Sequence, residues 1–126
     1  MNDSDLFKKL IGCLDLSAID DATNDDTIET MCSRAQTPHG NVCAVVVRSQ
    51  FVSQAKNHLT KTDIKVSAAI SFPAGGEDTL ALEKEAIKAI SDGAQEIELH
   101  MASAAFAEGR PGFAETQIVR MKRACG

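Results

Sequence analysis

Two periodicities alternate along this chain, and that alternation constrains the fold more than any other feature. Short runs rich in apolar and β-branched residues are each followed by a stretch with helical spacing of apolar positions. The first run lies near IGCLDLSAI. Ile28, Met31, Cys32 and Ala35 follow at i, i+3, i+4 and i+7, which predicts an amphipathic helix. Asp26 is its expected N-cap, with Glu29 completing a capping box, and Pro38-His39-Gly40 ends it. The second run, NVCAVVV, shows little alternation, as a parallel strand covered on both faces does. Phe51, Val52, Ala55 and Leu59 then share one helix face. The third run is IKVSAAIS, broken by the turn FPAGGED. A helix from Asp78 to Ser91 follows, with Leu82, Ala86, Ile87 and Ile90 expected inward and Gly93 placed as a C-cap. The fourth run is EIELHM. The polar loop AEGRPG leads from it to a helix striped with Ala114, Ile118, Met121 and Cys125.

Strict strand–helix alternation implies parallel strands and right-handed crossovers. The expected fold class is α/β, with four consecutive βα units in one domain over residues 1–126. Four such units can form a small open sheet or half of a (β/α)8 barrel. The fourth run discriminates, because Glu96, Glu98 and His100 alternate with Ile97, Leu99 and Met101. An interior strand of an open sheet meets helices on both faces and is apolar on both. In a barrel the inward side chains line the interior, and polar groups near the C-terminal strand ends are where barrel enzymes hold their chemistry. A strand at a sheet edge, with its polar side in water, is the plainer alternative. Asp15 between Leu14 and Leu16 shows the same pattern more mildly.

A net charge of -5, with Lys and Arg scattered, argues against nucleic acid or an anionic membrane as partner. No run approaches the roughly 18 apolar residues of a membrane span. The opening MNDSDLFKKLIG reads as neither a secretory signal nor an anchor, so a cytoplasmic location is expected. Cys13, Cys32, Cys43 and Cys125 form no C-x-x-C pair and are expected as reduced thiols on apolar faces.

Taken in order, the strand and turn motifs resemble the deoxyribose-phosphate aldolases, class I aldolases built on a (β/α)8 barrel. LDLSAI resembles the family's first-strand motif of an aspartate and then a hydroxyl residue, here Asp15 and Ser17, where threonine is usual. AQTPHGNVCAVVV resembles the segment entering strand two, and ISFPAGGED the strand-three turn, with Phe72, Pro73 and Gly75. DGAQEIELHMASAAFAEG resembles strand four and its loop. The resemblance covers the first half of the family's barrel, so it implies a half-barrel of four βα units. It implies a lyase reaction, the reversible retro-aldol cleavage of 2-deoxyribose 5-phosphate to glyceraldehyde 3-phosphate and acetaldehyde through a Schiff base.

By the same resemblance Glu98 stands at the family's proton-transfer aspartate, one methylene longer. Asp15 matches the first-strand aspartate of the active-site network, and Ser17 falls to substrate binding. The family's Schiff-base lysine and its phosphate loops lie on strands with no counterpart here. Of the lysines, Lys65 alone falls on a strand, at its N-terminal end. The chain alone is therefore expected to be weak or inactive as an aldolase.

Other readings of single motifs are bland. FPAGGED lacks the Lys-Ser/Thr of a P-loop and reads as a βα turn. Ser17 has no histidine near it in sequence. His100 reads as an adventitious histidine, and His39, His58 and His100 lack metal-ligand spacing. No metal and no cofactor are expected. A half-barrel leaves two open strand edges, a liability that pairing two copies about a two-fold axis would remove. The expected partners are a second copy, as a homodimer closing a barrel, and a small phosphorylated sugar. A non-catalytic α/β binding or assembly module, or a truncated fragment of a full aldolase, stands as the alternative.

Overall fold

The computed structural model describes residues 1–126. Its elements run α1 (Asp3–Ile11), β1 (Asp15–Ala18), α2 (Asp25–Arg34), β2 (Gln36–Thr37), β3 (Gly40–Asn41), β4 (Ala44–Arg48), a 3-10 turn (Ser49–Phe51), α3 (Val52–His58), β5 (Lys65–Ile70), α4 (Thr79–Ser91), β6 (Glu96–Leu99), α5 (Ser103–Ala107) and α6 (Pro111–Cys125). The small β2–β3 hairpin stands apart. The main sheet has the order β1-β4-β5-β6, all parallel. Each pair of neighbours is joined by a helical crossover, the arrangement that strict alternation requires.

Register fixes the faces. Leu16 pairs with Val45, Val45 with Val66, and Ala68 with Ile97, so these side chains share one face with Ala18, Val47, Ile70 and Leu99. Against that face pack Ile28, Met31, Cys32 and Ala35 of the α2 segment, Val52, Ala55 and Leu59 of the α3 segment, and Leu82, Ala86 and Ala89 of α4. Ile28 is fully buried, worth about 1.5–3 kcal/mol on its own. The opposite face carries no helix. It is concave, and by alternation it presents Asp15, Ser17, Ala44, Val46, Arg48, Lys65, Ser67, Ala69, Glu96 and Glu98.

The strand ends climb across the sheet. Ala18 ends β1 but pairs with Val47, one residue short of the β4 end. Val47 pairs with Ala68, two short of the β5 end, and Ala68 with Ile97, two short of the β6 end. A closed eight-stranded barrel staggers by about one residue per strand. The ends rise by one residue from β1 to β4 and by one more from β4 to β5, with no further rise to β6, and β1 and β6 each keep one unpaired edge.

Several helix details differ from the sequence expectation. Asn24, not Asp26, caps α2: its Oδ1 accepts from the Thr27 N–H at 3.0 Å, and Thr27 Oγ1 accepts in return from the Asn24 N–H at 3.4 Å. Asn24 is the residue with extended backbone, whereas Asp26 lies inside the first turn, where its charge favours the helix dipole. On α4, Ile87 and Ile90 are 53% and 38% exposed, and Ala89 faces the sheet instead. Small side chains let this helix lie close to β5. On α6, Ile118 is 48% exposed and the neighbouring Gln117 is buried. The N-terminal part of the first apolar run is helical: Asn2 caps α1 by accepting from the Asp5 N–H at 2.9 Å.

All four cysteines are free, but only Cys32 is buried, while Cys13 and Cys43 are exposed. Burial pushes the Cys32 thiol above its usual range, so it stays protonated at neutral pH. Thiol labelling of the native protein at pH 7.5 should therefore modify Cys13 and Cys43 within the mixing time. Cys32 should react only after urea is added, and fast native labelling of Cys32 would contradict this core.

Candidate functional site

The C-terminal ends of the strands form a lip. The inward position nearest the lip is Ser17 on β1, Arg48 on β4, Ala69 on β5 and Glu98 on β6. By register Ser17 lies level with Val46, Ser67 and Glu96, Glu98 level with Ala69 and Arg48, and Asp15 level with Ala44 and Lys65. Asp15, Ser17 and Glu98 are exposed, whereas Ala69 and Ser67 are buried between longer neighbours. Asp15, Ser17 and Glu98 thus share the concave face, with Ser17 and Glu98 as the last inward residues of the two outer strands and Asp15 as the first residue of β1. β4 and β5 separate them, so they do not touch across the open sheet.

Arg48 is the residue that sequence reasoning missed. Its parity with Ala44 and Val46 turns it inward, and a cation ending an apolar strand was the available signal. Its Nε donates to the Ile19 carbonyl at 2.6 Å and its Nη2 to Asp21 Oδ1 at 2.8 Å, fastening the loop after β1. Its guanidinium lies 5.6 Å from the Phe72 ring centroid. Phe72 in turn meets His100 edge-on, with centroids 4.9 Å apart. An unbroken chain of contacts, Asp21–Arg48–Phe72–His100, therefore crosses the lip from the loop after β1 to the loop after β6. The His100 ring, which faces Phe72, keeps Nε2 buried without a hydrogen-bond partner.

Two loops at the lip are locked together. In the loop after β5, Gly75 has φ +68 and lies against the Met101 carbonyl so closely that a Cβ would stand 1.9 Å from that oxygen. Ser71, at φ 65, accepts from the Gly76 N–H through its hydroxyl. Gln117, 1% exposed on α6, accepts from the Ala102 N–H at 3.0 Å and donates to the Gly76 carbonyl at 2.8 Å. Arg110, just before α6, grips Glu77 with two nitrogens at 3.2 and 2.8 Å. Those hydrogen bonds hold the Glu77 carboxyl below its usual range, against the opposing effect of desolvation and with help from the charge of Arg110. The pair is solvent-exposed, so its contribution is screened; it is present above the ordinary carboxylate range and fades as pH falls through the lowered value.

Lys65 lies at the other end of the sheet, at the start of β5, paired with Glu96 at 3.2 Å. No lysine stands on the lip layer. No three His, Cys, Asp or Glu side chains converge as a metal site, and no helix is long and apolar enough to cross a membrane.

Four staggered parallel strands, helices on one face only and a polar concave face define half of a (β/α)8 barrel. Among such barrels, the chain is similar to the deoxyribose-phosphate aldolases. It is 31% identical over 116 residues to the deoxyribose-phosphate aldolase of Agrobacterium fabrum, covering 91% of this chain and 45% of that one. A structure from Coccidioides immitis, provisionally given as a deoxyribose-phosphate aldolase, superposes with TM-score 0.85 at 24% identity, over 93% of this chain and 46% of the other. The deoxyribose phosphate aldolase of Aeropyrum pernix, described as a unique tetramer, matches with TM-score 0.74 at 14% identity, over 94% of this chain and 50% of its own. These two structural likenesses speak for the fold. The chain spans about half the length of the relatives it matches, consistent with the first half of their barrel. No protein-family model matches it.

Proposed function

We propose that the concave face is the acid–base half of an aldolase-type site, with Glu98 as the proton-transfer group, Asp15 as the second carboxylate of its active-site network and Ser17 holding a small phosphorylated sugar. The observation that supports this reading is that Ser17 and Glu98 are the last inward residues of β1 and β6, at the C-terminal ends of their strands, on the face that also carries Asp15. That is where barrel enzymes do their chemistry. The reaction is the retro-aldol cleavage of 2-deoxyribose 5-phosphate. A lysine amine condenses with the substrate carbonyl, the carbon–carbon bond breaks as the neighbouring hydroxyl loses its proton, and a carboxylate accepts and returns protons. This chain offers the carboxylate and no amine at the lip, because its one strand lysine is paired with Glu96 at the far end. The chain alone is therefore a binder rather than a working aldolase, and its partner on this reading is a second copy, as a homodimer that brings the strand count to eight.

Two measurements test the reading. Titration with 2-deoxyribose 5-phosphate, followed by amide NMR, should shift Ser17 and Glu98 and leave Lys65 unmoved. No shift at the lip up to millimolar sugar overturns the site. Borohydride treatment of the mixture should leave the chain at its unmodified mass, and a lysine adduct would overturn the claim that no amine is in place. The absence of a lip lysine also favours a second reading, a non-catalytic module. In that case sugar binding by Glu98→Gln equals that of the unaltered protein.

A further inference from the structure

We infer that β1 and β6 are the two halves of one seam, and that the occupant of the apolar groove beside β6 is the outer face of β1 from a second copy of this chain. The inference rests on the half-barrel reading above and adds where and how the copies meet. The groove has a volume of about 680 Å³ and lies between β6 and α6, walled by Ile97, Leu99, Ile118, Met121 and Cys125. It sits on the helix-covered side, where the outer side chains of a fifth strand would pack. At the other end of the sheet, β1 presents such side chains beside its own unpaired edge. By alternation Leu14 and Leu16 point outward, and Leu14 is 51% exposed, as is Leu10 one helical turn into α1. Apolar surface of this size on both margins of one sheet is unusual for an exposed surface.

Three further observations select a second copy. Both free edges belong to parallel strands, so a two-fold axis along the strand direction sets β1 of each copy beside β6 of the other with every strand still parallel. The strand ends already climb from β1 to β5 as a barrel requires. At the helix layer, the β1 margin carries a second groove of about 580 Å³ whose α2 wall is Asp26, Thr27, Thr30, Met31 and Arg34. Threonine methyls and the arginine stem are the surface that would cover Ile118 of the partner's α6.

The test is the solution mass of the full chain by light scattering across a dilution series, with two variants on opposite sides of the seam. Ile118→Arg and Leu14→Glu both alter half-exposed side chains, so each should keep the native circular dichroism. The unaltered protein should run at twice the chain mass. Each variant should run as a monomer, its dissociation constant raised at least ~100-fold, as for the loss of a central interface contact. A monomeric parent at micromolar concentration overturns the inference, as does an open-ended series of larger masses. A dimer indifferent to both variants overturns this seam. Sugar shifts at Ser17 and Glu98 are read separately from mass, so the seam and the sugar site fail or stand independently.

Discussion

Gly75→Ala should destabilise the protein by about 3–5 kcal/mol, among the largest single-residue effects open to it. Two costs combine. The alanine must hold a left-handed backbone conformation, worth about 1–3 kcal/mol. Its Cβ must also displace the Met101 carbonyl, which would stand 1.9 Å away. That carbonyl is backbone, so no rotamer change relieves the contact and the loops after β5 and β6 must part. Gly109→Ala is the control: its φ is +83, but nothing lies within 4 Å of the new methyl. It should cost about 1–3 kcal/mol, the conformational part alone, and less than Gly75→Ala. Urea midpoints of the two variants separate the costs, and equal midpoints would show that the close approach of the two loops contributes nothing.

Gln117→Leu should cost about 2–4 kcal/mol although leucine fits a helix well. The side chain is 1% exposed, and both ends of its amide are engaged, by the Ala102 N–H and the Gly76 carbonyl. Leucine leaves the buried Ala102 N–H without a partner, at about 1–3 kcal/mol, and takes the donor from the part-buried Gly76 carbonyl at a smaller cost. The exchange rate of the Ala102 amide gives a local readout. It should rise well beyond what the global loss of stability explains, because this amide has lost its acceptor. Unchanged protection at Ala102 would mean that the loop finds another partner and that Gln117 is not its anchor.

The fold was legible because periodicity and β-branching are backbone-scale signals, repeated in every unit. The β4 run AVVVR and the spacing of Ile28, Met31 and Cys32 leave few alternatives. What failed was the choice between adjacent residues on a helix. Ile118 looks inward and Gln117 outward by hydropathy alone, and the structure reverses them. Two loop backbones needed a donor and an acceptor from α6, and only tertiary structure reveals that need. Ala89 in place of Ile90 on α4 is a related case: closeness to the sheet selected the smaller side chain.

At the site, the inward parity of Asp15, Ser17 and Glu98 followed from alternation along single strands. Their relative height did not, because it depends on the slope of the register across four strands. Arg48 falls one residue past the run NVCAVVV and so went unread, and its partners Asp21 and Phe72 are distant in sequence. The buried Nε2 of His100 has no signal in the sequence at all.

The uncovered concave face has an electrical consequence. While it stays open, Arg48, Asp15 and Glu98 act across water, where two unit charges 4 Å apart interact by about 1 kcal/mol. At the effective dielectric constant of about 20 that suits a protein surface, the same pair is worth about 4 kcal/mol. Covering that face would remove water from between these charges, so their mutual influence would be set by what covers the face as much as by the residues themselves.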